Sequence, residues 1–286
     1  MSEVSNISGL REIFQNYDIF ILDQWGVLHD GYNGYPDAIK CISDLIFNSK
    51  KLIIISNSST KKQSTSKRLS SLGFNQNQFT EIMTSGEMVW KKLVDEVFVK
   101  DKKLGKNCFH IFDKNKKDII NFTDGLEKFN FVSDISSADF ILGCTPFFNS
   151  RVIDYVPLLS EAIKNNLPFV CANPDFETVE KNSVKLIFCM GTIASLYKNM
   201  GGTCIILGKP SKEIYIESTK NIPNIDKSKI LAIGDSLSHD IKGAIDFGID
   251  SLLITSTGIH RKFFDKTKPI WESDTNTLQK LDIKPT

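Results

Sequence analysis

The sequence lacks the features that would assign it to a membrane, nucleic-acid-binding or disulfide-bonded class. Its longest apolar runs, such as residues 52–55 and 204–207, are far shorter than the roughly 18 to 20 residues that a membrane-spanning helix needs. The 35 basic and 34 acidic residues leave a net charge of +1, too little to hold the chain on nucleic acid or on an acidic membrane. We therefore expect neither a nucleic acid nor a membrane as partner.

Cysteines are few, and none of them forms a C-x-x-C pair. Most lie inside apolar runs, a pattern typical of reduced, buried thiols rather than of a disulfide framework or a zinc site. Polar residues precede the first apolar run, so we expect no signal peptide and a cytoplasmic location. The six cysteines are Cys41, Cys108, Cys144, Cys171, Cys189 and Cys204.

The pattern of apolar residues predicts the α/β class. The chain has 286 residues, 41% of them hydrophobic and 24% charged, as expected for a folded protein of one large or two modest domains. Short apolar runs alternate with helix-length segments, which is typical of βα units around a parallel sheet buried on both faces. The predicted strands are 19–22, 52–55, 109–112, 140–142, 169–171, 204–207, 230–233 and 251–254, and the clearest helices are 36–48, 60–71 and 152–164.

Polar residues that follow four of these runs are the candidates for function, because ligands of open parallel sheets bind at the carboxyl ends of the strands. A carboxylate can attack phosphorus, a second carboxylate can hold Mg²⁺, and a hydroxyl, loop amides and a lysine can hold phosphate oxygens. Each residue alone is common as a cap or turn, whereas the ordered set predicts a phosphoryl site. In chain order the set is Asp23, Ser56, Asn57, Lys209, Asp235 and Asp240.

With three further segments, these motifs resemble the haloacid dehalogenase superfamily, specifically its class IIA branch, which includes nitrophenyl phosphatases. The segments are Thr84-Ser85-Gly86-Glu87, Ala172-Asn173-Pro174-Asp175 and Gly208-Lys209-Pro210-Ser211 followed by Tyr215. The resemblance covers nearly the whole chain and implies a Rossmann-like core with an inserted α/β cap domain. We place the core at residues 1–86 and 184–286 and the cap at residues 87–183.

The resemblance implies how the core residues act on a small phosphorylated metabolite. Asp23 would be the nucleophile, and it would form an aspartyl-phosphate intermediate. Ser56, Asn57 and Lys209 would hold the phosphate. The implied reaction is magnesium-dependent hydrolysis of a phosphate ester.

The resemblance also implies a metal site and contacts from the cap. The nucleophile itself, the backbone carbonyl of Trp25 and Asp235 would hold Mg²⁺, with Asp240 as a further acid of the metal shell. Asn173 and Asp175 would reach the substrate from the cap. Caps of this class can also mediate self-association, so a homo-oligomer is left open.

One position departs from the family pattern. Phosphatases of the family carry a second Asp two residues after the nucleophile, which protonates the leaving group and then activates water; here the residue is Trp25. General acid–base catalysis of this kind contributes about 10²- to 10⁴-fold in rate. An indole has one weak donor and no base, so Trp25 cannot replace the carboxyl group.

Three explanations remain open for the missing acid. Another group can serve, either His29 or Asp30 after the turn or Asp175 or Glu177 from the cap, although His29-Asp30-Gly31 also fits a polar turn. The substrate can have a good leaving group, such as an aryl or acyl phosphate. The protein can instead be a catalytically weak phospho-ligand-binding or regulatory protein, which is the alternative to a slow phosphatase.

Overall fold

The computed structural model describes residues 6–96, 98, 104–116, 119, 121–179, 186–260 and 285. Over these residues the chain forms two five-stranded parallel sheets and one two-stranded antiparallel ribbon. The predicted α/β class is confirmed. No helix in this part of the chain has the length and apolar character needed to cross a bilayer.

The first sheet carries the predicted motifs. Its strands are β1 (Ile19–Leu22), β2 (Lys51–Ser56), β3 (Glu81–Thr84), β11 (Ile230–Gly234) and β12 (Asp250–Leu253). They pair in parallel in the order β12-β11-β1-β2-β3. In the centre, Ile19 of β1 is in register with Ile230 on one side and Lys51 on the other.

In the chain, the second sheet and the ribbon lie between β3 and β11 of the first sheet. The sheet contains β4 (Asn107–Ile111), β5 (Asn130–Val132), β6 (Phe140–Gly143), β7 (Phe169–Cys171) and β10 (Cys204–Ile206), all parallel, in the order β10-β7-β6-β4-β5. The ribbon pairs β8 (Glu177–Val179) with β9 (Leu186–Phe188) in antiparallel fashion.

Helices cover both faces of the first sheet, which explains why β1 is apolar throughout. Alternate side chains of β1 enter two different buried clusters, with Ile21 on one face and Phe20 on the other. The α-helices with defined bounds are α1 (Pro36–Phe47), α2 (Lys62–Ser71), α3 (Ser85–Val94), α4 (Val156–Lys164), α5 (Met190–Asn199), α6 (Lys212–Thr219) and α7 (Lys242–Phe247). Helices α1 and α2 contribute to the Phe20 face, and α3, α6 and α7 to the Ile21 face.

The chain returns to the first sheet later than expected. The boundary expected at residue 183 lies outside the described residues, but α5 and β10 beyond it belong to the second sheet: Tyr197 packs on Phe169, and Ile205 pairs with Val170. The apolar run 204–207 looks the same in sequence whichever sheet it joins. We propose that the cap continues through β10 and that the core resumes at about Leu207.

Candidate active site

Two acids meet where the strand order of the first sheet reverses. From β1 the chain proceeds to β2 and β3 on one side, and β11 and β12 add on the other. Asp23 follows β1 and Asp235 follows its neighbour β11. This crevice is the position at which open α/β sheets bind ligands.

Three buried carboxylates and one ammonium group form the centre of the site. Ligand oxygens of Asp23, Asp235 and Asp240 lie within 4.8 Å of one another. Lys209 Nζ donates to Asp23 Oδ1 at 2.6 Å and to Asp240 Oδ1 at 2.7 Å. All four residues are at most 8% exposed, so their charges are poorly screened by water.

The electrostatics of this cluster favour an additional positive charge. Burial raises the pKa of Asp23 to about 7, against the opposing effect of Lys209 and with repulsion from Asp240 adding to it. Burial, followed by repulsion from Asp23 and Asp240, raises the pKa of Asp235 well above its usual range. Burial tends to lower the pKa of Lys209, but the surrounding carboxylates together raise it well above its usual range. One ammonium group therefore leaves the carboxylates undercompensated.

The loop after β11 holds the two later acids in place. Ser236 N donates to Asp240 Oδ2 at 3.0 Å, and residues Leu237–Ile241 form a single π-helical turn. Ile259 N donates to Asp235 Oδ2 at 2.8 Å. Gly258 has φ +80°, and a Cβ there would lie 2.1 Å from the same oxygen. Only glycine fits at this position without displacing the Asp235 carboxylate.

The loop after β2 supplies hydroxyl groups. Ser56 ends β2, and its Oγ accepts a hydrogen bond from Ser58 N at 3.2 Å. Ser58 Oγ lies 2.9 Å from Thr60 Oγ1. These side chains line the same cavity as the carboxylates, so the loop can present hydroxyl groups to an anion.

A cavity of about 620 Å³ lies between the core and the cap, and most of the predicted residues line it. Its predicted lining residues are Asp23, Trp25, Ser56, Lys209, Asp235 and Asp240 from the core and Asn173, Asp175 and Glu177 from the cap. The volume is in the range of small-molecule sites.

Asn57 does not line the cavity with its side chain. Its Oδ1 accepts from Lys209 N at 2.8 Å, and its Nδ2 donates to Asp175 Oδ1 at 2.8 Å and to the Lys209 carbonyl at 3.3 Å. The Asn57 side chain therefore positions the main chain of Lys209 and joins the core to the cap.

Asp175 is the acid by which the cap contacts the core. Besides its bond with Asn57, its Oδ1 lies 3.2 Å from Nδ1 of His239. The neighbouring Phe176 stacks on the His239 ring with the centroids 6.4 Å apart. His239, which lies in the π-helical turn, therefore faces the cavity.

The two core candidates for a replacement acid do not line the cavity. His29 is fully buried, its Nδ1 accepts from Gly31 N at 3.1 Å, and burial lowers its pKa to about 4. Asp30 Oδ1 accepts from the main-chain N–H groups of Tyr32 and Asn33. In this arrangement both residues hydrogen bond within the turn, as its polar-turn interpretation predicts.

Several lining residues were missed from the sequence. Ile259 and His260 follow β12. The carboxyl end of this strand lies at the same edge of the first sheet as the ends of β1, β2 and β11, so the residues after it could have been considered as candidates. His260 Nε2 accepts from Leu237 N at 3.3 Å. Arg68 lies near the end of α2, and no motif marks it.

The donor set fits a divalent metal ion. Magnesium and calcium prefer oxygen ligands, and three buried carboxylates in mutual reach offer them. Three carboxylates share a single ammonium group, so the cluster lacks positive charge when all three acids are ionised. A divalent cation is the species that would supply it.

Comparisons with known proteins point to one family. A family model for haloacid dehalogenase-like hydrolases matches residues 20–121, and a second, HAD-hydrolase-like model matches residues 206–275. A solved haloacid dehalogenase-like hydrolase from Brucella suis is 30% identical, with a TM-score of 0.78 over 89% of this chain and 91% of its own. No curated protein matches the chain.

Two further solved structures share the fold at lower identity. One is described as a possible sugar phosphatase from Cytophaga hutchinsonii; it has 18% identity and a TM-score of 0.74 over 98% of this chain and 96% of its own. The other is a glycerol phosphate phosphatase from Mycobacterium tuberculosis in complex with magnesium, with 18% identity and a TM-score of 0.63 over 86% of this chain and 70% of its own.

Proposed function

The chain belongs to the haloacid dehalogenase-like hydrolases, and on this basis we propose that it hydrolyses phosphate esters of small metabolites. The convergence of Asp23, Lys209, Asp235 and Asp240 in one buried cluster is the observation that carries the proposal. The phosphatases among the similar structures support it.

We assign the metal to Mg²⁺, held by Asp23, Asp235, Asp240 and the backbone carbonyl of Trp25. When bound, the ion would offset the negative charge that the carboxylates and a phosphate bring together. The magnesium in the glycerol phosphate phosphatase supports this choice. The carbonyl of Trp25 is unaffected by the change of side chain, so the departure from the family pattern leaves the metal site intact.

Asp23 acts as nucleophile in the proposed mechanism. One carboxylate oxygen forms a bond to phosphorus as the bond to the leaving oxygen breaks, which yields an aspartyl-phosphate. Ser56 and Lys209 hold the phosphate oxygens while this happens. Water then attacks phosphorus, the bond to Asp23 breaks, and phosphate and a proton are released.

The cap excludes water and contacts the substrate through Asn173 and Asp175. Asn57 positions Lys209 and meets Asp175, so the phosphate end of the site and the cap are held by one amide. All six cysteines are unpaired thiols, which supports a reducing compartment, and we propose the cytoplasm.

Trp25 makes the enzyme slow on alkyl phosphates. An alkoxide is a poor leaving group without a proton donor, and the indole offers neither an acid nor a base. Aryl and acyl phosphates need little protonation and are the substrates expected to turn over best.

Phosphate release from 4-nitrophenyl phosphate and acetyl phosphate tests the proposal. We expect release that depends on added Mg²⁺, stops with a chelator and is lost in Asp23→Asn. If the purified protein releases no phosphate from a broad panel of phosphorylated metabolites, the proposal is wrong.

A second candidate function is a phospho-ligand-binding or regulatory protein with little turnover. Trp25 favours it, since the residue removes the acid and base of both chemical steps. Calorimetry that shows micromolar binding of a phosphorylated ligand with background turnover would support it. Turnover of about 1 s⁻¹ or faster, the low end for typical enzymes, would exclude it.

A further inference from the structure

The side chain of Trp25 is fixed in the cavity wall by its neighbours. His29 meets the ring edge-on, with the centroids 5.0 Å apart. Gly31 has φ +90°, and a Cβ there would come within 2.3 Å of the Trp25 ring. The ring therefore rests against bare backbone, and the turn leaves it little freedom to move.

A guanidinium group lies over this ring. Arg68 Cζ is 5.8 Å from the ring centroid of Trp25, within the range of a cation–π contact. Both residues line the cavity, together with Gly31. Where the family has a carboxyl group, this chain thus presents an aromatic ring and, on it, a permanent positive charge.

This charge lies apart from the one that holds the phosphate. Among the described lysines and arginines that line the cavity, Lys209 is hydrogen bonded to Asp23 and Asp240, whereas Arg68 lies over the Trp25 ring. Lys116 contributes from the cap and Arg68 from the core. Negative charge on the rest of a bound substrate would therefore meet a guanidinium group beside the position of the missing acid.

We propose that Arg68, held by Trp25, binds the leaving portion of the substrate, and that preferred substrates carry negative charge on that portion. The inference rests on the proposed phosphatase function. In the step it serves, Asp23 forms a bond to phosphorus, and the electron pair of the broken bond stays on the leaving oxygen. That oxygen departs as an anion, so no proton donor is required.

The negative charge that Arg68 binds is either that of the leaving oxygen or that of an attached carboxylate, and two sets of substrates distinguish these sources. If it develops on the leaving oxygen, kcat/KM on aryl phosphates with uncharged substituents falls steeply as the pKa of the phenol rises, and more steeply still in Arg68→Met. If it belongs to an attached carboxylate, wild type prefers phosphoglycolate to ethyl phosphate, and Arg68→Met loses that preference. Either loss should be about tenfold or more, the scale of a charge-assisted hydrogen bond.

Controls separate charge from folding. Lys67→Met removes an exposed charge from the same helix and should change neither result. Arg68→Lys keeps the charge without the planar stack and should recover part of the loss. If Trp25 acts by positioning Arg68, Trp25→Leu should cost little more in an Arg68→Met background than that variant costs alone.

An equal loss of kcat/KM on every substrate, or no loss, in Arg68→Met overturns the inference while the phosphatase proposal stands. Absence of turnover in wild type counts against the phosphatase proposal instead. In that case calorimetry in Asp23→Asn decides: phosphoglycolate should bind more tightly than ethyl phosphate, and Arg68→Met should remove the difference. Equal affinities would overturn the inference.

Discussion

The two sheets of the molecule have the same layout but different residues at their carboxyl ends. Both have five parallel strands with buried centres. The first sheet ends in Asp23 and Asp235, while the second ends in Asp113 after β4 and Cys144 after β6. Asp113 Oδ1 accepts from Asn115 N at 2.9 Å, as in an ordinary turn.

The difference shows that the sheet topology forms a crevice and that the side chains at its edge determine what the crevice can bind. Burial raises the pKa of the Cys144 thiol well above its usual range, so this buried sulfur stays protonated and unreactive. Burial of Asp23 and Asp235 has another consequence, because these acids lie close together around Lys209. Carboxylates held this close together favour the binding of a cation, whereas buried, protonated thiols do not.

The largest expected effect on phosphate release comes from replacing the acid that follows β1 of the first sheet, with an acid of the second sheet as the control. Asp23→Asn should lower phosphate release by at least about 10⁴-fold, the scale seen when a nucleophile is removed. Asp113→Asn keeps an acceptor for Asn115 N and should leave release unchanged. Steady-state assays with 4-nitrophenyl phosphate measure both. Comparable losses in the two variants would show that the sheets do not differ as argued.

Replacing Trp25 by Asp tests whether the rest of the catalytic site at the edge of the first sheet is complete. Trp25→Asp should raise kcat on alkyl phosphates by about 10²- to 10⁴-fold, the usual contribution of a general acid. The gain should be smaller on 4-nitrophenyl phosphate, whose leaving group needs less protonation. A variant that folds and binds Mg²⁺ yet gains nothing would mean that the site is built for another reaction.

The burial and mutual repulsion of the clustered carboxylates should lower the free energy of unfolding of the metal-free protein. The raised pKa of Asp235 means that, above pH 4, the folded protein binds more protons than the unfolded chain, so the stability of the metal-free protein falls as pH rises. Asp235→Asn keeps an acceptor for Ile259 N and removes the charge. It should raise the metal-free melting temperature at pH 8 by a few degrees.

The same variant should lose most of the stabilisation that added Mg²⁺ gives wild type. Asp113→Asn serves as the matched control, since it should change neither the metal-free melting temperature nor the response to Mg²⁺. A lower melting temperature for metal-free Asp235→Asn would show that the carboxylate stabilises the fold.

Two histidines give the smallest expected effect. Burial lowers the pKa of His29 in the core and of His110 in the second sheet to about 4. Between pH 6.5 and 4 the unfolded chain binds more protons, so stability falls as pH falls, by about 1.4 kcal/mol per pH unit for each fully shielded histidine.

His29 is fully buried, whereas His110 is partly exposed and stacks on Phe112. Because burial lowers both pKa values to about 4, denaturant titrations at several pH values should show a shallower acid slope in both His29→Asn and His110→Phe than in wild type. Equal slopes in wild type and His29→Asn would contradict the assignment.

Much of the fold was predictable from apolar runs. The strands predicted at 19–22 and 169–171 match β1 and β7 residue for residue. The strands β3, β5 and β8 were not predicted, because they are short and contain polar residues, and β9 was missed although all three of its residues are apolar. Pairing partners could not be predicted either, since a run such as 204–207 suits either sheet equally well.

The site was predictable where a residue directly follows a strand. Asp23 and Asp235 do so, Lys209 comes three residues after the end of β10, and the structure brings all three together. Arg68 enters from a helix and Asn57 turns toward Lys209, arrangements that depend on three-dimensional packing and leave no local signature.

Mass spectrometry of acid-quenched protein after mixing with 4-nitrophenyl phosphate and Mg²⁺ tests the central claim most directly. Because Trp25 offers no base for the second step, a phosphoryl group should accumulate on the peptide that contains Asp23, with one nitrophenol released rapidly per site. Steady release of phosphate without a phosphorylated Asp23 peptide, and undiminished in Asp23→Asn, would contradict the account.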